Sequence, residues 1–427
     1  MKVRIIGGPV SGVVRAPPSK SYTQRAVLCA LLADGESEIV DPSLSEDGLS
    51  ALRAAGQLGA KITEREASWS LSGGNVTTPE DVINCGGSAT VLRLFTAAAA
   101  LAPGSSVLTG NDSLRRRPMG ELLAAMNSIG AACFSTRHNG LPPVVVVGNG
   151  IEGGEARMKG DVSSQFISAL LFASTQGRGI TKILLTSPLE SRHYVEMSLH
   201  TLQVFGGEVR WDLDRGIFSI TGGQVLQPRR YRVEGDYSSA SYLLAAGLLG
   251  GKVEICNLAA RSLQGDSVVL GIFASMGGSI IPLQDSVVAS ASASKLHGIE
   301  IDARDIPDLI PILAVVASQA DGLTVISHVG RLRLKESDRI KMTVDTLRAM
   351  GAEIVSSGDT ITVRGRTKLS GARIDPAGDH RIAMACAVAS LAAAGDTIIE
   401  DAECVSKSYP SFFDDLTRLG ARVEVEP

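Results

Sequence analysis

The sequence predicts an α/β fold of two similar domains, each made of three repeated βαβαββ units with buried helices. Three observations predict it. First, a helical segment ending in an apolar residue, Gly and a small residue, then a strand, recurs six times; its glycines are Gly59, Gly130, Gly206, Gly277, Gly351 and Gly420. The steps between them are 71, 76, 71, 74 and 69 residues. Second, a polar loop that opens an Ala- and Leu-rich helix recurs near Lys20, Gly87, Ser163, Asp236, Pro307 and His380, at steps of 67, 76, 73, 71 and 73 residues. Third, 427 residues are too many for one ordinary core.

Each element has a physical reason. A glycine after a helix accepts the left-handed conformation that ends it, and the next residues leave as a strand. One such site means little, whereas six at near-constant spacing mark a repeat. The helices, for example HRIAMACAVASLAAAG from His380, are apolar on most faces and are expected to be buried. WSLSGG from Trp69 and ITVRG from Ile361 alternate as closing strands should. Aromatic residues are only 4% against 44% hydrophobic overall, so this core packs small side chains closely. Six units divide as three plus three. Pro17-Pro18 and Gln227-Pro228-Arg229-Arg230 break the pattern, placing one domain at 18–230 and the other at 1–17 plus 231–427. The chain then crosses twice, which allows hinge closure over a ligand in an interdomain cleft.

Composition excludes several classes. The net charge is -4, from 41 basic and 45 acidic residues, which argues against nucleic-acid or anionic-membrane partners. The six cysteines form no CxxC pair and the six histidines show no ligand spacing, so no metal site and a reducing, cytoplasmic setting are expected. MKVRIIGG reads as a strand, not a targeting segment, and the uncharged stretch Phe95–Pro103 is too short to span a bilayer.

The helix starts carry more than caps. In PPSKSYTQR, Ser21 and Gln24 fit a capping box, but Lys20 and Arg25 flank the same start, and cations beside free backbone N–H groups make an anion site. NCGGSATVLR offers Ser88 as a cap and sets Arg93 inside an apolar helix, where it needs a partner. In DVSSQF a cap explains one of Ser163, Ser164 and Gln165, hardly all three. VEGDYSSAS places Asp236, Ser238 and Ser239 likewise, and Asp308 follows Pro307. AGDHRIAM sets Asp379 as cap and Arg381 at a positive helix end, which asks for an anion. Three loops add charge: Arg115, Arg116 and Arg117; then Arg333, Lys335, Glu336, Asp338 and Arg339; and Lys407. Two of the first three arginines suit a solvated surface, and ion pairs along a helix suit the second set. Together, however, the cations recur at helix starts.

PSKSYTQR, SSQF, VEGDYSSASY, IPD, KESDR, DHRIAM and SKSYP, spread from Val13 to Phe413, resemble the 3-phosphoshikimate 1-carboxyvinyltransferase (enolpyruvyl-shikimate-phosphate synthase) family of enolpyruvyl transferases. The resemblance implies an α+β prism with the active site between two domains. It implies transfer of the enolpyruvyl group of phosphoenolpyruvate to the 5-hydroxyl of shikimate 3-phosphate, by addition and elimination of phosphate, in aromatic amino-acid biosynthesis. The partners are these two small molecules; no cofactor is implied and a monomer is expected. Carried over by position, Lys20, Ser21, Arg25, Ser163, Ser164, Gln165, Ser191, Asp308 and Lys335 hold shikimate 3-phosphate. Lys20, Ala89, Arg117, Gln165, Arg339, Arg381 and Lys407 face phosphoenolpyruvate. Asp308 is the proton acceptor and Glu336 the second proton-transfer group, with Lys20 assisting. Two phosphates and two carboxylates call for this many cations.

The readings set against this are a UDP-N-acetylglucosamine enolpyruvyl transferase and a non-catalytic anion-binding repeat protein. The loop NDSLRRRPMG lacks the reactive cysteine of the former, and pure phosphate binding has no use for Asp308 and Glu336. This chain departs from the family at GGSAT, where Ala89 replaces the usual Gly; at Gly378, where Asn often precedes DHR; and at Arg331, where Asn is common. A methyl at Ala89 should crowd glyphosate, slightly longer than phosphoenolpyruvate. Ala89→Gly is therefore expected to lower the inhibition constant for glyphosate with little change in KM for phosphoenolpyruvate; inhibition curves that superimpose contradict it.

Overall fold

The computed structural model describes residues 1–212, 214–291 and 295–426. Among them the strands form six four-stranded sheets of one pattern: one parallel edge pair, followed by two antiparallel pairings. The chain divides into two compact units, Pro18–Val233 and Met1–Pro17 with Glu234–Pro427.

In the unit Pro18–Val233, three helices are buried along almost their whole length: Lys20–Leu32, Ala89–Ala99 and Ser164–Ser174. The middle one packs against both others. Their Ala, Leu, Val and Phe side chains leave no polar face, so each helix must be covered all round, and the sheets provide the cover. The sheet of the first repeat is completed from a distance: strand Arg230–Arg232 runs parallel to Glu36–Val40. This pairing carries the unit past Arg230 to Val233.

The second unit repeats the plan with helices Tyr237–Leu248, Ile310–Gln319 and His380–Leu391, which pack on one another. Two of its sheets take strands from the beginning of the chain. Lys2–Ile6 lies between Asp396–Ile399 and Arg422–Glu426, and Ser11–Arg15 runs parallel to Lys252–Cys256. The strands alternate: Val3 and Ile5 are fully buried while Lys2, Arg4 and Ile6 are only partly covered.

The six repeat glycines all have positive φ, from +83° at Gly206 to +104° at Gly59. One detail corrects the sequence reading. The first helix is capped by Ser19, whose Oγ accepts from Tyr22 N–H; Ser21 already lies within the helix, and Gln24 turns inward to Ser88 Oγ at 2.9 Å. The capping-box spacing places the cap two residues late because Pro18 already ends the extended segment there.

Gly420 has φ +96° and nothing near its missing Cβ, so substitution there tests backbone strain alone. Gly420→Ala is expected to destabilise the protein by about 1–2 kcal/mol in denaturant unfolding. An unchanged midpoint would show that the closing turn tolerates a side chain.

Candidate active site

In the unit Pro18–Val233 the sequence-selected polar residues gather at the N-termini of the three buried helices. Ser88 Oγ and Ser163 Oγ cap theirs, accepting from Val91 and Gln165 N–H. Ser164 is buried at the first position of its helix and Ala89 at the first position of another. Lys20 Nζ lies 3.1 Å from Asp47 Oδ2. Arg25 is 1% exposed, and its three donated bonds go to neutral oxygens: Ser198 Oγ and Tyr194 O at 2.9 Å and Ser21 O at 2.8 Å. Burial without a carboxylate partner pushes its pKa down to about 10. The helix starts supply oriented N–H groups, and Arg25 supplies a charge that no carboxylate among the described residues balances. An anion suits both.

Ser191 is buried, with φ +54°, just before helix Arg192–Val204. Arg117 is half-buried, whereas Arg115 and Arg116 of the same loop are exposed, and Arg115 pairs with Asp112.

In the second unit the selected residues form one connected network. Arg339, 1% exposed, begins helix Arg339–Ala349. Its Nε lies 2.9 Å from Asp379 Oδ2, its Nη1 2.8 Å from Asp308 Oδ1, and its Nη2 2.6 Å from Glu336 Oε2. Lys335 Nζ is 3.2 Å from Asp308 Oδ1, and Lys407 Nζ 3.5 Å from Glu336 Oε1. Asp379 caps helix His380–Leu391 through Arg381 N–H at 3.0 Å. Burial alone would raise Asp308, but Lys335, Arg381 and Arg339 outweigh it and hold the carboxyl well below the usual range.

Arg339 and Arg381 differ. Arg339 already serves three carboxylates. Arg381 is 3% exposed, its Nη2 lies 3.7 Å from Asp308 Oδ2, and its Nε and Nη1 have no hydrogen-bond partner among the described residues. Its guanidinium lies 5.9 Å from the centre of the Tyr242 ring. Buried N–H groups of a charged side chain left unbonded are costly, and an incoming carboxylate satisfies them. Gly378 has φ +67°, a conformation that Gly and Asn both adopt readily, which explains why this departure from the family pattern leaves DHR in place.

Three groups have a role that local sequence does not reveal. Asp379 reads as a simple cap, but it also holds Arg339; the proximity of an arginine forty positions earlier has no local signal. Arg93 reads only as a buried cation in need of a partner, and it finds Ser163 Oγ, Gln165 Oε1 and Pro118 O. Asp266 has no sequence mark. It is 2% exposed, accepts a hydrogen bond from Ser238 at Oδ2 and leaves Oδ1 without a partner among the described residues. Burial first, and then the charge of Asp308, push its pKa up to about 7.

Known proteins resemble this chain in sequence and in fold. The family model for EPSP synthase (3-phosphoshikimate 1-carboxyvinyltransferase) matches residues 5–416. A 3-phosphoshikimate 1-carboxyvinyltransferase of Methanocaldococcus jannaschii is 42% identical over 421 residues, covering 98% of this chain and 97% of its own. A solved EPSP synthase from Acinetobacter baumannii superposes with a TM-score of 0.85 at 26% identity, over the full length of both chains. The enolpyruvyl transferase NikO from Streptomyces tendae shares the fold, with a TM-score of 0.81 at 18% identity over 99% of this chain and 98% of its own.

The buried carboxylates make two expectations for stability. Asp379→Ala leaves Arg339 buried with fewer partners and uncaps a helix, and should cost about 3–5 kcal/mol in denaturant unfolding. A loss under about 1 kcal/mol would show the pair to be incidental. Asp266 acts in the opposite sense to an ordinary paired acid. Between 3.8 and about 7 the folded protein keeps a proton there that the unfolded chain has lost, so this group's contribution to stability falls as pH rises through that window. Asp266→Asn should remove that part of the slope, measured as unfolding midpoints between about pH 4 and about pH 7.5. Parallel curves for the two proteins would refute it.

Proposed function

The chain belongs to the EPSP synthase family, and from that premise we propose that it transfers the enolpyruvyl group of phosphoenolpyruvate to the 5-hydroxyl of shikimate 3-phosphate and releases phosphate. It is a transferase of the shikimate pathway, acting by addition and elimination. The observation that carries the reading is Arg381: a buried guanidinium at a helix start whose Nε and Nη1 lack partners among the described residues. The open N–H groups of a buried guanidinium call for an anionic acceptor, such as a carboxylate oxygen.

We assign Lys20, Ser21, Arg25, Ser163, Ser164, Gln165, Ser191 and Lys335 to shikimate 3-phosphate. Arg117, Arg339, Arg381 and Lys407 take phosphoenolpyruvate, Lys20 and Gln165 serve both, and Ala89 presents its backbone. Both sets are needed, because the substrates together bring two phosphates and two carboxylates. Asp308 accepts the proton of the 5-hydroxyl as the oxygen attacks C2, and Glu336 delivers a proton to C3. In the elimination step Glu336 takes a proton back from C3, the C2–C3 double bond re-forms, and the C–O bond to phosphate breaks so that phosphate leaves.

The depressed pKa of Asp308 gives this assignment a sequence of events. With Lys335, Arg339 and Arg381 facing it, the carboxylate is a weak base. Substrate anions that draw those cations away let its basicity rise towards the ordinary range. The base therefore strengthens when substrate is present. We further assign a cytoplasmic monomer that needs no cofactor; among the described residues the six cysteines form no disulfide, in keeping with a reducing compartment, and the reaction has no redox step. Among the described residues no helix is long and apolar enough to cross a membrane.

Phosphate release from phosphoenolpyruvate with shikimate 3-phosphate tests the reading directly. Pure, folded protein without turnover, or turnover with UDP-N-acetylglucosamine instead, overturns it. Asp308→Ala should keep substrate affinity within a few fold while kcat falls by about 10²–10⁴. Lost binding with unchanged kcat at saturation would move Asp308 from proton transfer to binding.

A further inference from the structure

We infer that Arg93 is a positioning residue that turns Gln165 into a hydrogen-bond donor for the anionic substrates. The inference rests on the assignment of Gln165 to those substrates. Arg93 lies one turn into the buried helix Ala89–Ala99 and is 5% exposed. Its Nη1 donates to Gln165 Oε1 at 2.7 Å and Ser163 Oγ at 3.2 Å, and its Nη2 donates to Pro118 O at 3.2 Å. The guanidinium carbon sits 4.8 Å from the centre of the Phe166 ring.

A guanidinium can only donate, so the oxygen of the Gln165 amide must face Arg93. The amide nitrogen is thereby turned the other way. One of its N–H groups goes to Thr90 Oγ1 at 2.7 Å, and the second has no bond among the described residues. A donor is what a phosphate or carboxylate oxygen requires, whereas the flipped amide would present it with an oxygen. The same fork binds the Ser163 hydroxyl and the carbonyl next to Arg117, so one side chain ties its own helix to two other segments. An ammonium group is a single point and cannot reach all three acceptors in these directions.

The full chain is assayed by phosphate release, with KM for each substrate and kcat measured for Arg93→Lys, Gln165→Ala and the two together. Arg93→Lys is expected to raise KM by about tenfold with a smaller fall in kcat, as for one lost hydrogen bond to a charged group. The double variant should be no worse than Gln165→Ala within about twofold, because a residue acting through Gln165 has nothing left to position. Unchanged KM in Arg93→Lys, or two losses that multiply, would overturn the inference. If Arg93→Lys loses its melting transition, Gln165→Glu decides. That change keeps the shape and strengthens the bond to Arg93 but leaves no N–H to donate. A KM raised by about tenfold with the melting temperature retained supports the inference; a wild-type KM overturns it. Wild-type protein without turnover would instead sink the substrate assignment beneath it.

Discussion

A helix covered on every side can show its polar backbone only at its ends. That constraint organises the whole molecule. The six central helices are buried along most of their length, so their unbonded N–H groups concentrate at starts such as Ser19, Ser88, Ser163, Asp236 and Asp379. Positive potential gathers there before any side chain is counted. Adding Arg25 and Arg381 within the first turns of such helices would repel that potential in an isolated protein. It becomes sensible only where an anion completes the balance.

The two units solve the balance differently. In Pro18–Val233, Arg25 is held by serine and backbone oxygens, so its charge is left uncompensated. In the other unit, Asp308, Glu336 and Asp379 hold Arg339 and its neighbours as an internal salt network. The first arrangement leaves a buried cation among neutral oxygens. The second holds the Asp308 carboxyl well below the usual range through Lys335, Arg381 and Arg339. Asp379 is the fixed point of that network, because it also caps the helix that carries Arg381 and so cannot move away from it.

The repeat is legible in the sequence because its signal is local. A glycine at a helix end with φ near +90° and an apolar helix after a polar loop need only a few consecutive residues. The cations at helix starts are legible for the same reason. What stays hidden depends on which starts face which. Arg93 and Gln165 are joined across separate helices, and Asp266 keeps its proton partly through Asp308, a residue on another element. Arg339 and Arg381 look equivalent in KESDR and DHRIAM. Only the three-dimensional partners separate the saturated guanidinium from the open one. The strand Arg230–Arg232 escapes notice for a related reason: three residues carry no periodicity, and its partner lies near the start of the chain.

The strand Lys2–Ile6 imposes an order on synthesis. It sits in the middle of a sheet whose neighbours are Asp396–Ile399 and Arg422–Glu426. It must therefore wait, unpaired, until both of these partners have been made. Pro18–Val233 has all of its strands once residue 233 has emerged and can fold while translation continues. The unit bearing Asp308 and Arg381 completes its sheet only when Arg422–Glu426 has emerged. A chain stopped before Arg422 thus carries one unit with all of its described strands and a second whose sheet still waits for its partner.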